Sequence, residues 1–173
     1  MCNPVTTESP DVLLIKGLHL GFEWEVTSNR MGYRCGYVRI PPDHPWHGKD
    51  YDEVKTAGGD YVDVHGGLTF AQPDADCGKR SCPGVPHVGH ASSDWTCPFE
   101  KTGGEDNAWW LGFDCAHHMD APDPELPGYD PRMASLLGRY GSIKTTPYVV
   151  AECRRLAEQA LRRWEQEAGV LEV

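Results

Sequence analysis

The sequence predicts an α+β domain in which a small, mainly antiparallel sheet is packed by one long C-terminal helix and carries an irregular Cys/His-rich inserted loop. Three observations lead there. Apolar residues alternate with polar ones through Phe22-Glu23-Trp24-Glu25-Val26, the pattern of a half-buried strand. Residues 108–115, Ala-Trp-Trp-Leu-Gly-Phe-Asp-Cys, are a dense apolar run of strand length. From Val149 to Trp164 apolar residues then recur at helical spacing. A length of 173 residues fits a single domain over 1–173. Nineteen glycines and fourteen prolines argue for short elements joined by many loops rather than a helical bundle.

Taken in order, residues 1–11 are polar with two prolines and are expected to form a loose tail. Val12 to Leu20 is a short apolar run that fits either helix or strand. The strand beginning at Phe22 is followed by the turn Ser28-Asn29-Arg30-Met31-Gly32 and a second strand over 33–40, together a hairpin. Pro41 to Lys49 must leave the sheet, since proline donates no ladder bond. Asp50 to Lys55 suits a short helical turn, and Tyr61 to His65 reads as a third strand with Val62 and Val64 on one face. Gly66-Gly67 permits a sharp bend before Leu68-Thr69-Phe70 resumes extended structure. Residues 73–106 lack periodicity and form the insert. Residues 108–115 follow as a central strand, with Trp110, Gly112 and Asp114 on one face and Trp109, Leu111, Phe113 and Cys115 on the other. Residues 120–146 are a Pro- and Asp-rich connection. The helix spans 147–168, with Thr146 as cap, Pro147 at its first position and Gly169 able to end it.

The formal charge of −10 disfavours polymeric nucleic acid and anionic membranes as partners, while leaving room for a small anion held locally. No stretch approaches the roughly 20 apolar residues of a membrane span. Met1-Cys2-Asn3-Pro4 lacks the basic and apolar regions of a signal peptide, so cytoplasmic residence is expected. Seven cysteines, an odd number, then point to free thiols or metal ligands rather than a disulfide framework. Cys35, Cys115 and Cys153 fall within strand and helix patterns and suit small buried residues.

Three constellations carry candidate chemistry. The first joins His65-Gly66-Gly67 to Asp114-Cys115-Ala116-His117-His118-Met119-Asp120. A carboxylate closing an apolar strand is costly unless paired or metal-bound. If the two strands are neighbours, Asp63, His65, Trp110 and Asp114 share a face, with His117 and Asp120 at its rim. His65, Asp114, His117 and Asp120 are the candidate catalytic residues, for general acid–base work or for a divalent metal that activates water. Asp63, Gly66, Gly67 and Trp110 are candidate ligand contacts. The structural alternative is that Asp114 caps the turn and His117 satisfies backbone carbonyls. The second constellation, Cys77, Cys82, His87, His90 and Cys97, has the content of a zinc site without the spacing of a standard finger. Its alternative is a loop of free thiols. The third is His44-Pro45-Trp46-His47-Gly48-Lys49, where His44, Trp46 and Lys49 suit an anionic ring-bearing ligand, or an inert surface loop. No Gly-rich phosphate loop, nucleophile elbow or HExxH stretch occurs.

The segments Val64-His65-Gly66-Gly67-Leu68-Thr69-Phe70 and Trp109-Trp110-Leu111-Gly112-Phe113-Asp114-Cys115-Ala116-His117, with the Pro42-Asp43-His44-Pro45 turn, resemble a family of small bacteriophage and actinobacterial proteins known only as uncharacterised. The resemblance runs from about residue 33 to the final helix. This chain departs from it at His118-Met119, where smaller residues are usual, and in the length of its Cys/His loop. A phage setting implies a counter-defence protein that binds a small nucleotide-derived host signal. The rival readings are a metal-dependent hydrolase or phosphodiesterase acting on such a nucleotide, with zinc or another divalent metal, and a zinc-stabilised protein-interaction module.

Overall fold

A computed structural model describes residues 11–73, 109–134 and 141–169. The insert, with Cys77, Cys82, His87, His90 and Cys97, lies outside the described residues except for Pro73, as does the tail before Asp11. Five strands, β1 (Val12–His19), β2 (Phe22–Ser28), β3 (Arg34–Ile40), β4 (Phe70–Pro73) and β5 (Trp109–Asp114), make one sheet in the order β1-β2-β3-β5-β4. Every pairing is antiparallel. Helix α1 (Pro131–Ala134) is a single turn, and α2 (Thr146–Glu167) packs on the sheet.

Alternation along the strands decides which face meets α2. Phe22, Trp24 and Val26 of β2, Val38 and Ile40 of β3 and Leu111 and Phe113 of β5 point to the helix. They meet Val149, Cys153, Leu156, Ala157 and Ala160 of its apolar stripe. Full burial of each large apolar side chain contributes about 1.5–3 kcal/mol. The helix packs tightly over Gly36, where an added Cβ would press on Cys153 Sγ at 2.7 Å and on the Phe113 ring. On the opposite face Cys35, Tyr37 and Trp110 form a smaller buried cluster with Phe70. Cys35, Cys115 and Cys153 are free and buried, and burial pushes the Cys115 and Cys153 thiols up to about 12. They remain unreactive thiols.

Several expectations change. Val12 to His19 resolves as edge strand β1. The apolar strand β5 has two neighbours but is not central; β3 holds the middle. Thr145, not Thr146, is the N-cap, and it makes no side-chain cap bond. The Thr146 hydroxyl instead accepts from Arg34 Nε at 2.9 Å. The connection after Asp120 is tied down by a bridge between Asp120 and Ser142 and by the α1 turn.

Tyr61 to His65 is not a strand, although its period-two pattern is real. Val62 and Val64 enter the core while Tyr61 and Asp63 face outward. Beyond the bridge of Tyr61 to Lys55, side chains of α2 stand in for a strand partner. Gln159 accepts from the Asp63 N–H at 2.9 Å and donates to the Asp63 carbonyl at 3.0 Å. Two helical turns earlier Glu152 accepts from the His65 N–H at 2.7 Å. Buried backbone groups must be satisfied somewhere, and here the helix does it.

Candidate functional site

Antiparallel pairing sets the end of β5 beside the start of β4, and the first turn of α2 reaches the same edge. His65 arrives just ahead of β4, and His117 and Asp120 just beyond β5. Their rings and carboxylate meet. His65 Nε2 lies 2.7 Å from Asp120 Oδ2, and its Nδ1 lies 3.0 Å from the Tyr148 hydroxyl. The two imidazole centroids are 5.5 Å apart.

Asp120 is 4% exposed, so its charge needs partners. It has three besides the backbone turn that holds it: His65, the His117 N–H at 3.0 Å and Lys144 Nζ at 3.4 Å from Oδ1. Burial alone would raise its carboxyl, but these partners together hold it below the ordinary carboxylate value. The backbone is strained beside it. Met119 adopts φ 72°, a left-handed conformation that disfavours a side chain. Hydrogen bonds from Ser142 N to the Met119 carbonyl (2.9 Å) and from Ala121 N to the Ser142 carbonyl (3.0 Å) fix that turn and aim Asp120 inward.

An ionised carboxylate only accepts hydrogen bonds. With a neutral imidazole the proton on His65 therefore sits on Nε2, and the Nδ1 lone pair faces the Tyr148 hydroxyl. Tyr148 is 38% exposed, which leaves that hydroxyl within reach of solvent. Partial burial, followed by the Glu152 carboxylate, raises its pKa above the ordinary tyrosine value.

His117 fills the space that Gly66 leaves open. A Cβ on Gly66 would overlap the His117 ring, and the φ of 68° at Gly66 itself favours glycine. Among the described residues His117 Nε2 has no hydrogen-bond partner; Asp114 Oδ1 stands 3.8 Å away. Asp114 spends its own oxygens on the Thr69 hydroxyl and the Ala116 N–H, both at 2.9 Å. It caps the strand end, as the structural alternative anticipated, and neighbours the cluster through His117.

Other expected contacts fall elsewhere. Trp110 lies in the small cluster on the face away from α2, while Asp63 pairs with Arg155 at 3.0 Å beside the helix. The shared face of Asp63, His65, Trp110 and Asp114 is thus absent, because residues 61–65 lie along the helix rather than in the sheet. His44 and Trp46 are core residues rather than ligand contacts. His44 is 3% exposed, with Nε2 at 2.9 Å from the Ala160 carbonyl and Nδ1 accepting the Trp46 N–H. Trp46 is fully buried and donates Nε1–H to the Lys55 carbonyl at 2.7 Å. Lys49 ends the following turn, its N–H donating to the Trp46 carbonyl at 3.2 Å. Gly67 lies next to Gly66, also at positive φ, with open space where a side chain would be.

The sequence reading missed Tyr148, Lys144 and Arg34. Arg34 is buried and donates to the Lys144 carbonyl, Thr146 Oγ1 and Asp123 Oδ2 at 2.8–2.9 Å, pinning the start of α2. Tyr148 had one available signal, a large aromatic in the first turn of a helix off its apolar stripe. Among the described residues no group of three or more His, Cys, Asp or Glu is set to hold a metal ion, and no helix is long and apolar enough to cross a membrane. Compared with family models, with curated proteins and with solved structures, the chain matches none.

Proposed function

We propose that the cluster of His65, His117, Asp120, Lys144 and Tyr148 binds a small nucleotide-derived anion, as a bacteriophage counter-defence protein sequestering a host signal would. The observation that carries this reading is the pair of imidazoles at 5.5 Å, one braced by a buried carboxylate and the other with an unused ring nitrogen. A buried polar atom without a partner calls for an explanation, and a ligand that reorients the His117 ring would supply one. Lys144, His117 and the exposed His118 supply positive or proton-donating groups, and the Tyr148 ring and exposed Met119 supply surface for a base. The acidic chain as a whole argues against polymeric nucleic acid as the ligand.

A metal-dependent hydrolase using His65, Asp114, His117 and Asp120 has less support. Both nitrogens of His65 and both oxygens of Asp120 already have partners, so metal ligation would have to break those contacts. A zinc-stiffened interaction loop rests on residues outside those described.

Calorimetric titration with cyclic mononucleotides, cyclic dinucleotides and cyclic ADP-ribose derivatives tests the proposal. At least one should bind, and His65→Ala and His117→Ala should each weaken it about tenfold to a hundredfold, the effect of losing a hydrogen bond to a charged ligand. If no member of the panel gives heat or thermal stabilisation, the proposal is wrong.

A further inference from the structure

The contacts of Tyr148 go beyond what ligand binding requires. Asp120 Oδ2, His65 Nε2, His65 Nδ1 and the Tyr148 oxygen form a continuous line of hydrogen bonds of 2.7 and 3.0 Å. Its inner end is a buried carboxylate and its outer end an exposed hydroxyl. That is the order of groups by which an acid orients an imidazole, and the imidazole takes the proton of a nucleophilic hydroxyl. We infer that Tyr148 is a nucleophile and that this edge of the protein cleaves phosphodiesters through a transient phosphotyrosyl intermediate.

The arrangement meets the demands of that chemistry. The Tyr148 hydroxyl does not ionise unaided at neutral pH, since partial burial and Glu152 raise its pKa, so attack needs a base on its proton. The His65 lone pair occupies that position. Asp120 fixes the tautomer, and Glu152 anchors the His65 backbone at 2.7 Å, with Arg155 paired to Glu152 in turn. The His117 ring stands 5.5 Å from that of His65, with its Nε2 enclosed against Gly66. Lys144 lies near the Tyr148 ring, its ammonium 5.7 Å from the centroid, where it favours an anionic ester.

In the first step the Tyr148 oxygen bonds to phosphorus as the bond from phosphorus to the leaving oxygen breaks. The phenolic proton passes to His65 Nδ1, and the leaving oxygen takes a proton from solvent water. In the second step water attacks phosphorus and gives a proton to solvent, while the departing Tyr148 oxygen recovers its proton from His65. The net reaction consumes one water and releases an alcohol and a phosphate monoester.

This inference rests on the proposed nucleotide site, and one pair of assays separates the two. The probe is the p-nitrophenyl ester of thymidine 5′-monophosphate, in buffer containing EDTA. The wild-type protein should release a burst of p-nitrophenolate stoichiometric with protein, and the peptide containing Tyr148 should gain the mass of one thymidylyl group. Tyr148→Phe should lose burst and adduct at least a hundredfold. His65→Gln should slow the burst by a similar factor and flatten its pH profile. Absence of burst and adduct in the wild type, or a burst that survives Tyr148→Phe, overturns the nucleophile while leaving any measured binding intact. A Tyr148-dependent burst in a protein that binds none of the panel supports the nucleophile and overturns sequestration.

Discussion

His44 and His65 both sit in short Pro- or Gly-marked segments, and both read from the sequence as site residues, yet the fold uses them in opposite ways. His44 is enclosed by Phe22, Trp46 and Trp164, and its two nitrogens end on backbone groups. Nothing in that set can exchange a proton with a ligand. The nitrogens of His65 end on a carboxylate and on a hydroxyl open to solvent. A histidine's role follows from what terminates its hydrogen bonds, and sequence spacing does not encode that.

The contrast is broken most forcefully in the core. Trp46→Ala should cost about 3–5 kcal/mol of stability, the range for emptying a buried aromatic site. Urea denaturation measures it, and ligand affinity of the folded fraction should be unchanged. A loss of affinity without a loss of stability would return the loop around His44 to the site.

Gly66→Ala is the next test, aimed at the other region. The methyl group meets both a positive φ and the His117 ring, so a loss of about 1–3 kcal/mol is expected, together with displacement of His117. Binding should fall more than stability, in contrast to Trp46→Ala. Equal losses of both would mean that His117 serves only packing.

Acid separates the two regions more gently. Burial pushes the His44 pKa down to about 4 from an ordinary 6.5. Between those values the unfolded chain binds a proton that the folded chain refuses, so stability decreases as pH falls from 6.5 to 4, by about 3 kcal/mol. The Asp120 carboxyl is shifted below its ordinary value, so its contribution is present above the usual carboxylate range. That contribution is lost only as pH falls through the lower folded value, below about pH 4. Thermal melts from pH 7 to pH 3 should show the first decline, which His44→Asn should abolish, before the second, which Asp120→Asn should reduce.

The antiparallel sheet and the long helix were legible because alternation and helical spacing are local signals. Pairing His65 with the segment after β5 was legible too, as two strand ends bearing costly residues. Three things were hidden. Residues 61–65 have a strand's alternation, but Gln159 and Glu152 satisfy their backbone from nearly a hundred residues away. Trp46 and His44 occur in a Pro-rich surface-like sequence, yet α2 closes over them. Tyr148 looked like an ordinary first-turn residue, since its hydroxyl gains meaning only from an imidazole 83 positions earlier.

Imidazole-selective NMR of the nitrogen-15-labelled protein, titrated with the cyclic nucleotide that calorimetry selects, tests the central assignment most directly. The His65 and His117 ring resonances should move together, saturating at the calorimetric stoichiometry, with the free-state His65 signals reporting a proton on Nε2. His44 should stay still. Movement of His44 with His65 and His117 unchanged would contradict the assignment of the site.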